Sequence, residues 1–146
     1  MMKRIRVLVV DDSALVRELL TAGLAKDPEL EVVGSAANPY IARDKIVELR
    51  PDVLTLDVEM PRMDGVDFLR RLMPQYPIPV IMVSALTQKG AQITLEALEA
   101  GAIDFVTKPS TDVARGLNQM LADLRQKIKM AAKVDLSAWK NRAVRR

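Results

Sequence analysis

The stretch PDVLTLDVEMPRMDG, residues 51–65, ends an apolar run on a carboxylate, Asp57, with a second acid, Glu59, two residues on. Pro61 and Gly65 then interrupt the chain. An ionised carboxylate removed from water without a partner costs several kcal/mol or takes up a proton, so Asp57 needs either solvent or company. Company is available at the ends of other apolar runs. Asp11 and Asp12 follow IRVLVV, Ser84 closes PVIMVSA, and Lys108 follows AIDFVT. Two carboxylates about 4 Å apart repel by roughly 4 kcal/mol at an effective dielectric of 20. Three brought together force a proton onto one of them unless a cation intervenes. A hard divalent ion with oxygen ligands, Mg²⁺ above all, meets that need because it binds through a few carboxylates and keeps several waters. Lys108 would add a second, movable positive charge and Ser84 a hydroxyl donor. Such a set suits phosphoryl transfer onto Asp57, with the cation and Lys108 neutralising the transferring oxygens.

That chemistry requires the chain to bring five distant side chains to one place, and the hydropathy pattern offers a way. IRVLVV (5–10) is a continuous β-branched run of the kind buried on both faces of a sheet. SALVRELLTAGLAKD then takes helical spacing, with Val16, Leu19, Leu20, Gly23 and Leu24 on one side. The alternation repeats: strand 30–36, helix from Asn38-Pro39, strand 52–57, helix DGVDFLRRLM capped by Asp64, strand 79–85, helix GAQITLEALEAG stopped by Gly101, strand 102–107, and a long helix from Ser110 to Ala132. Strand and helix alternating five times predict an α/β fold, a doubly wound five-stranded parallel sheet in the order 2-1-3-4-5. In that order the strand order reverses between strands 1 and 3, and ligands bind beyond the carboxyl ends at such a point. Asp11, Asp12, Asp57, Ser84 and Lys108 all fall at that rim.

Composition narrows the chemistry further. The 146 residues suffice for one compact domain and a tail. Hydrophobic residues make up 49% and aromatics 3%, so the core must be aliphatic. With no cysteine and no histidine, the chain carries no disulfide, thiolate site, imidazole base or Ser-His-Asp triad. The net charge of +3 is unevenly spread: residues 125–146 hold eight Lys/Arg and one Asp, which leaves the preceding part acidic. No recognition helix accompanies the basic tail, so no nucleic-acid partner is expected. The apolar residues near the amino terminus are too few for a signal peptide and no run reaches membrane-spanning length, so no membrane insertion and a cytoplasmic setting are expected.

Each residue alone has an ordinary explanation. Asp11-Asp12-Ser13 reads as a helix start, Asp57 as a strand-end acid, Lys108-Pro109 as a loop. The signal lies in their joint arrival at one edge. With VLVVDDS, LTLDVEMPRMDG, VIMVSA and DFVTKP on the page, the chain resembles a response-regulator receiver domain. More narrowly, DVLTLDVEMPRMDGVDFL and LEAGAIDFVTKPS are similar to the amino-terminal half of the chemotaxis methylesterases of the CheB family. The likeness spans residues 3 to 130. It implies the flavodoxin-like receiver fold, phosphorylation of Asp57 by a CheA-type histidine kinase, and Mg²⁺ held by Asp12, Asp57 and the backbone carbonyl of Glu59, with Asp11 acting through water. Ser84 and Phe105 become a switch pair, Lys108 the residue that holds the phosphate, and Lys108-Pro109 a candidate cis peptide.

On this likeness residues 1–126 form the receiver and 127–146 a basic helical extension leading to an effector domain. The methylesterase half, with its Ser-His-Asp triad, has no counterpart here, so no methylesterase activity is expected of the chain as it stands. The partners implied are the kinase, the chain's own or a separate methylesterase domain, and beyond them chemoreceptors. Trp139 and its basic neighbours read either as a solvated end or as a linker. The alternatives are a stand-alone receiver and a Mg²⁺-dependent phosphatase of the haloacid dehalogenase type, which shares an aspartyl nucleophile but places it on the first strand. A flavodoxin-like binding module would instead need a phosphate loop after strand 1, where this sequence has acids. Glu59 would set a further carboxylate beside the acceptor, and Glu59→Asn is expected to change Mg²⁺ affinity or the lifetime of phosphorylated Asp57.

Overall fold

The computed structural model describes residues 3–58, 60, 65–85, 87–109 and 113–136. Five strands, β1 (Ile5–Val10), β2 (Leu30–Ala36), β3 (Val53–Asp57), β4 (Val80–Ala85) and β5 (Asp104–Lys108), form one parallel sheet in the order β2-β1-β3-β4-β5, as expected. The helices α1 (Ala14–Ala25), α2 (Pro39–Leu49), α3 (Gly65–Leu72), α4 (Gln88–Glu99) and α5 (Val113–Ala131) cross between them.

The sheet separates two apolar layers because alternate side chains of a strand face opposite ways. Leu8 and Val10 join Leu54, Leu56 and Met82 beneath α2 and α3, whereas Val7 and Val9 join Val53, Ile81 and Val106 beneath α1 and α5. Among the described residues Phe68 is the one aromatic side chain in the buried core, so that core is aliphatic. No described helix is long and apolar enough to cross a membrane.

Local chemistry sets the helix ends. Ser13 Oγ accepts the Val16 N–H at the start of α1, and Asn38 Oδ1 accepts those of Tyr40 and Ile41 at 3.0 Å, with Pro39 in the first turn of α2. The end of α4 closes through Gly101 at φ 123°, whose N–H reaches the Leu98 carbonyl while that of Ala102 reaches Ala97. This closure needs a left-handed residue, which glycine supplies without steric cost. It also explains why β5 begins at Asp104 rather than at 102: the Ala102 amide is spent on the helix, and the first bond to β4 comes from Ile103 to Val80. The α4 helix starts at Gln88, ahead of Gly90, because Thr87 Oγ1 accepts the Gly90 N–H. The proposed cap Asp64 lies outside the described residues.

Candidate functional site

Three strand ends deliver the acidic and basic groups. The chain leaves β1 at Asp11, whose N–H still donates to Ala36 O, and Asp11 Oδ1 then accepts the Ser13 N–H at 2.9 Å. This turn fixes Asp11 as fully buried and leaves Asp12 exposed beside it. Arg17, from the first turns of α1, holds the Asp11 carbonyl at 2.7 Å. Asp57 is the last residue of β3 and is 5% exposed. One oxygen from each of Asp11, Asp12 and Asp57 fits within a span of 4.8 Å.

Lys108 ends the edge strand β5 and reaches across β4 to these acids. Its Nζ lies 3.2 Å from Asp11 Oδ2 and 3.3 Å from Asp57 Oδ1. The contact with Asp11 is one of charge, because Oδ2 is buried yet has no hydrogen bond of good geometry. Ser84, buried near the end of β4, directs its hydroxyl to the carbonyls of Ala85 at 3.2 Å and Gly90 at 3.4 Å, both long contacts. Asp12, Asp57, Ser84 and Lys108 line a small cavity of about 260 Å³, completed by Val58, Ala85 and Gly90. A larger groove of about 760 Å³ runs between α2 and α3 and contains none of these groups.

The electrostatics follow from this packing. Burial, and then the negative charge of Asp11, push the Asp57 carboxyl up to about 7, with Lys108 pulling the other way. Burial disfavours the charged ammonium of Lys108, but the Asp57 and Asp11 carboxylates outweigh it and hold its pKa above the ordinary lysine value. A single lysine therefore does not discharge the cluster. The donor set is all oxygen, Asp11 Oδ2 is buried with no hydrogen bond among the described residues, and three carboxylates gather where one lysine makes contact; those are the properties of a seat for a hard divalent cation.

Five of the seven residues singled out from the sequence thus meet at one rim: Asp11, Asp12, Asp57, Ser84 and Lys108. Phe105 stands apart from the cavity at the sheet edge, 39% exposed. Glu59, named for its backbone carbonyl, lies outside the described residues. The expected cis peptide before Pro109 is corrected: Lys108–Pro109 is trans, the form that an X–Pro bond prefers by about 0.5–1 kcal/mol without a constraint to reverse it. Sequence reasoning missed Arg17, which secures the Asp11 turn, and Gly90, whose carbonyl receives both Ser84 and Thr94 hydroxyls.

Residues 7–121 match the family model described as the response regulator receiver domain. The chain belongs to this family. Its receiver sequence is 71% identical over 140 residues to a protein-glutamate methylesterase/protein-glutamine glutaminase of Syntrophotalea carbinolica, covering 96% of this chain and 40% of that protein. It is 57% identical over 134 residues to the protein of the same description from Sulfurimonas denitrificans, covering 92% and 38%. The chain therefore spans about two-fifths of the length of these curated relatives. Among solved structures, the response regulator domain of Thermotoga maritima CheB matches with a TM-score of 0.82 and 46% identity over 91% of this chain and 99% of that one. A chain from the crystal structure of the P1 domain of CheA3 in complex with CheY6 from R. sphaeroides matches with a TM-score of 0.71 and 31% identity, covering 88% and 97%. The doubly wound 2-1-3-4-5 sheet expected from the βα pattern, and the receiver fold that the resemblance implied, are those observed, and the phosphatase alternative finds no support in these likenesses.

Proposed function

We propose that this receiver is the phosphorylation-controlled half of a cytoplasmic chemotaxis protein-glutamate methylesterase, and that Asp57 accepts the phosphoryl group from a phosphohistidine of a CheA-type kinase. The observation that carries the reading is the meeting of Asp11, Asp12 and Asp57 within 4.8 Å, with Lys108 in contact with two of them. The likeness to methylesterases at 71% identity, and to a chain solved with a CheA P1 domain, supports the pathway.

A carboxylate oxygen of Asp57 attacks phosphorus, the P–N bond to the histidine breaks, and the imidazole leaves with the bonding electrons and takes a proton. Lys108 is already 3.3 Å from an Asp57 oxygen and is placed to pair with the incoming phosphoryl oxygens. Asp11, Asp12 and Asp57 would hold Mg²⁺, with the Glu59 carbonyl completing the protein ligands; when bound, the ion neutralises charge on the transferring oxygens. The Ser84 hydroxyl exchanges its two long carbonyl contacts for a phosphoryl oxygen, and Phe105 turns into the space vacated. The face formed by α4, β5 and α5 then signals to the methylesterase domain through the residues beyond α5, which act as the linker.

Incubation with Mg²⁺ and acetyl phosphate, followed by intact mass and borohydride trapping, tests the acceptor. One phosphoryl adduct trapped at Asp57 is expected. An adduct that persists in Asp57→Asn, or none in the wild type, removes the assignment. Repeated turnover of a phosphomonoester instead of stoichiometric labelling would favour a phosphatase.

A further inference from the structure

Phe105 is held outward by a device that the acceptor chemistry does not require. It sits on the edge strand β5, and its backbone faces away from β4, so both its N–H and its carbonyl need partners other than the sheet. The N–H donates to Asp104 Oδ1 at 2.8 Å. The carbonyl accepts from Lys127 Nζ, which extends from α5 around the edge at 2.5 Å. The same ammonium lies 5.3 Å from the centre of the Phe105 ring, 3.6 Å from Asp104 and 3.3 Å from Asp123. Asp123 stands one helical turn before Lys127 and steers it toward the edge. Backbone, ring and two acids are thus gathered by one charge.

We propose that Lys127 is a positioning residue that latches Phe105 in its outward conformation and so sets the resting balance of the switch. Register makes the coupling direct. Ser84 pairs with Thr107 across β4 and β5, so Phe105, two residues before Thr107, shares a sheet face with Ser84. An inward turn of the ring forfeits its contact with the ammonium, whereas the backbone bond to Lys127 survives. The latch therefore weighs only on the ring conformation, which is what a bias on a two-state equilibrium requires. A cation over an aromatic face at a half-exposed site corresponds to about a two- to fivefold bias in population. This inference rests on the reading of Ser84 and Phe105 as the switch pair, and assigns to Lys127 a role that neither residue's chemistry implies.

Fluorophenylalanine labelling gives two resonances, from Phe68 and Phe105, assigned by Phe105→Leu. In the wild type, Mg²⁺ with beryllofluoride as phosphoryl mimic is expected to move the Phe105 signal. Lys127→Met without the mimic should move that signal part-way along the same line, and Lys127→Arg, which keeps a cation over the ring, should leave it at the wild-type position. Labelling of Lys127→Met by acetyl phosphate should be about two- to fivefold faster. A Lys127→Met signal that stays put, or moves off that line, overturns the latch while the receiver reading stands. A wild-type signal indifferent to beryllofluoride overturns the switch reading itself, and the latch with it.

Discussion

A carboxyl that is 5% exposed and stands beside Asp11 holds its proton more firmly than a free aspartic acid, and for Asp57 the midpoint moves from 3.8 to about 7. The folded chain therefore binds a proton there that the unfolded chain has already released. Between these two midpoints stability falls as pH rises, and the penalty is complete above about pH 7. Metal-free Asp57→Asn should accordingly be more stable than the wild type at about pH 8, by an amount on the order of a few kcal/mol, and the difference should shrink toward pH 4. Urea denaturation in a chelator across that range checks both sign and window. Added Mg²⁺ should raise the wild-type midpoint at pH 8 more than that of the variant, because a ligand of the native state stabilises it in proportion to its affinity. The five rim residues were legible in the sequence because parallel strands deliver their carboxyl ends to one edge, so an acid, hydroxyl or lysine after an apolar run has a predictable address. Arg17 and Lys127 were not, since a long cation on a helix carries no periodicity that tells which turn it will reach.

At the scale of elements, the approach of α4 to β4 ties the hydroxyl switch to the helix. A β-carbon on Gly90 would lie 2.6 Å from the Ala85 carbonyl and 3.1 Å from Ser84 Oγ. Backbone stands in the way, so α4 must shift to admit it. Gly90→Ala should cost about 1–3 kcal/mol, the usual range for overpacking, and should alter the labelling of Asp57 because the partner of the Ser84 hydroxyl moves. Thermal unfolding and acetyl phosphate kinetics measure the two effects. Helix and strand identities followed from hydropathy period, whereas their ends depended on bonds the pattern does not encode. The Schellman closure at Gly101 consumed the residues expected to open β5, and Thr87 began α4 earlier than Gly90 suggested. A further tie joins elements remote in sequence: Lys129 of α5 meets Asp27 at 2.7 Å and Glu29 at 2.6 Å in the turn before β2. Its bond to Lys129 holds the Asp27 carboxyl below its ordinary pKa, so the contribution is present above pH 4 and fades as pH falls through the lowered midpoint. Lys129→Met should reduce the urea midpoint at pH 7 and leave a smaller deficit at about pH 2.

For the whole molecule, the question is where the folded receiver gives way to the basic extension. The family model ends at residue 121, yet α5 continues to Ala131, and Leu124, Ile128 and Ala131 lie fully buried in the layer shared with α1 and β1. These residues follow the 3–4 spacing of a buried helix face, while Lys127 and Lys129 between them bind the sheet edge and the α1–β2 turn. The net positive charge of the segment, read from composition, thus conceals a structural part: Lys127 and Lys129 are used inside the domain. A chain ending after Gln126 would lose Ile128, Ala131 and both lysine ties together. Emptying a single buried isoleucine site to alanine costs about 2–5 kcal/mol, a large fraction of the 5–15 kcal/mol that typically holds a domain. The shortened chain should therefore unfold at much lower urea, or fail to fold, whereas a chain ending after Leu136 should keep the full midpoint and label at Asp57 at the wild-type rate. Equal midpoints for the two would mean that the last two turns of α5 contribute little to the domain, and that the extension starts before Ile128.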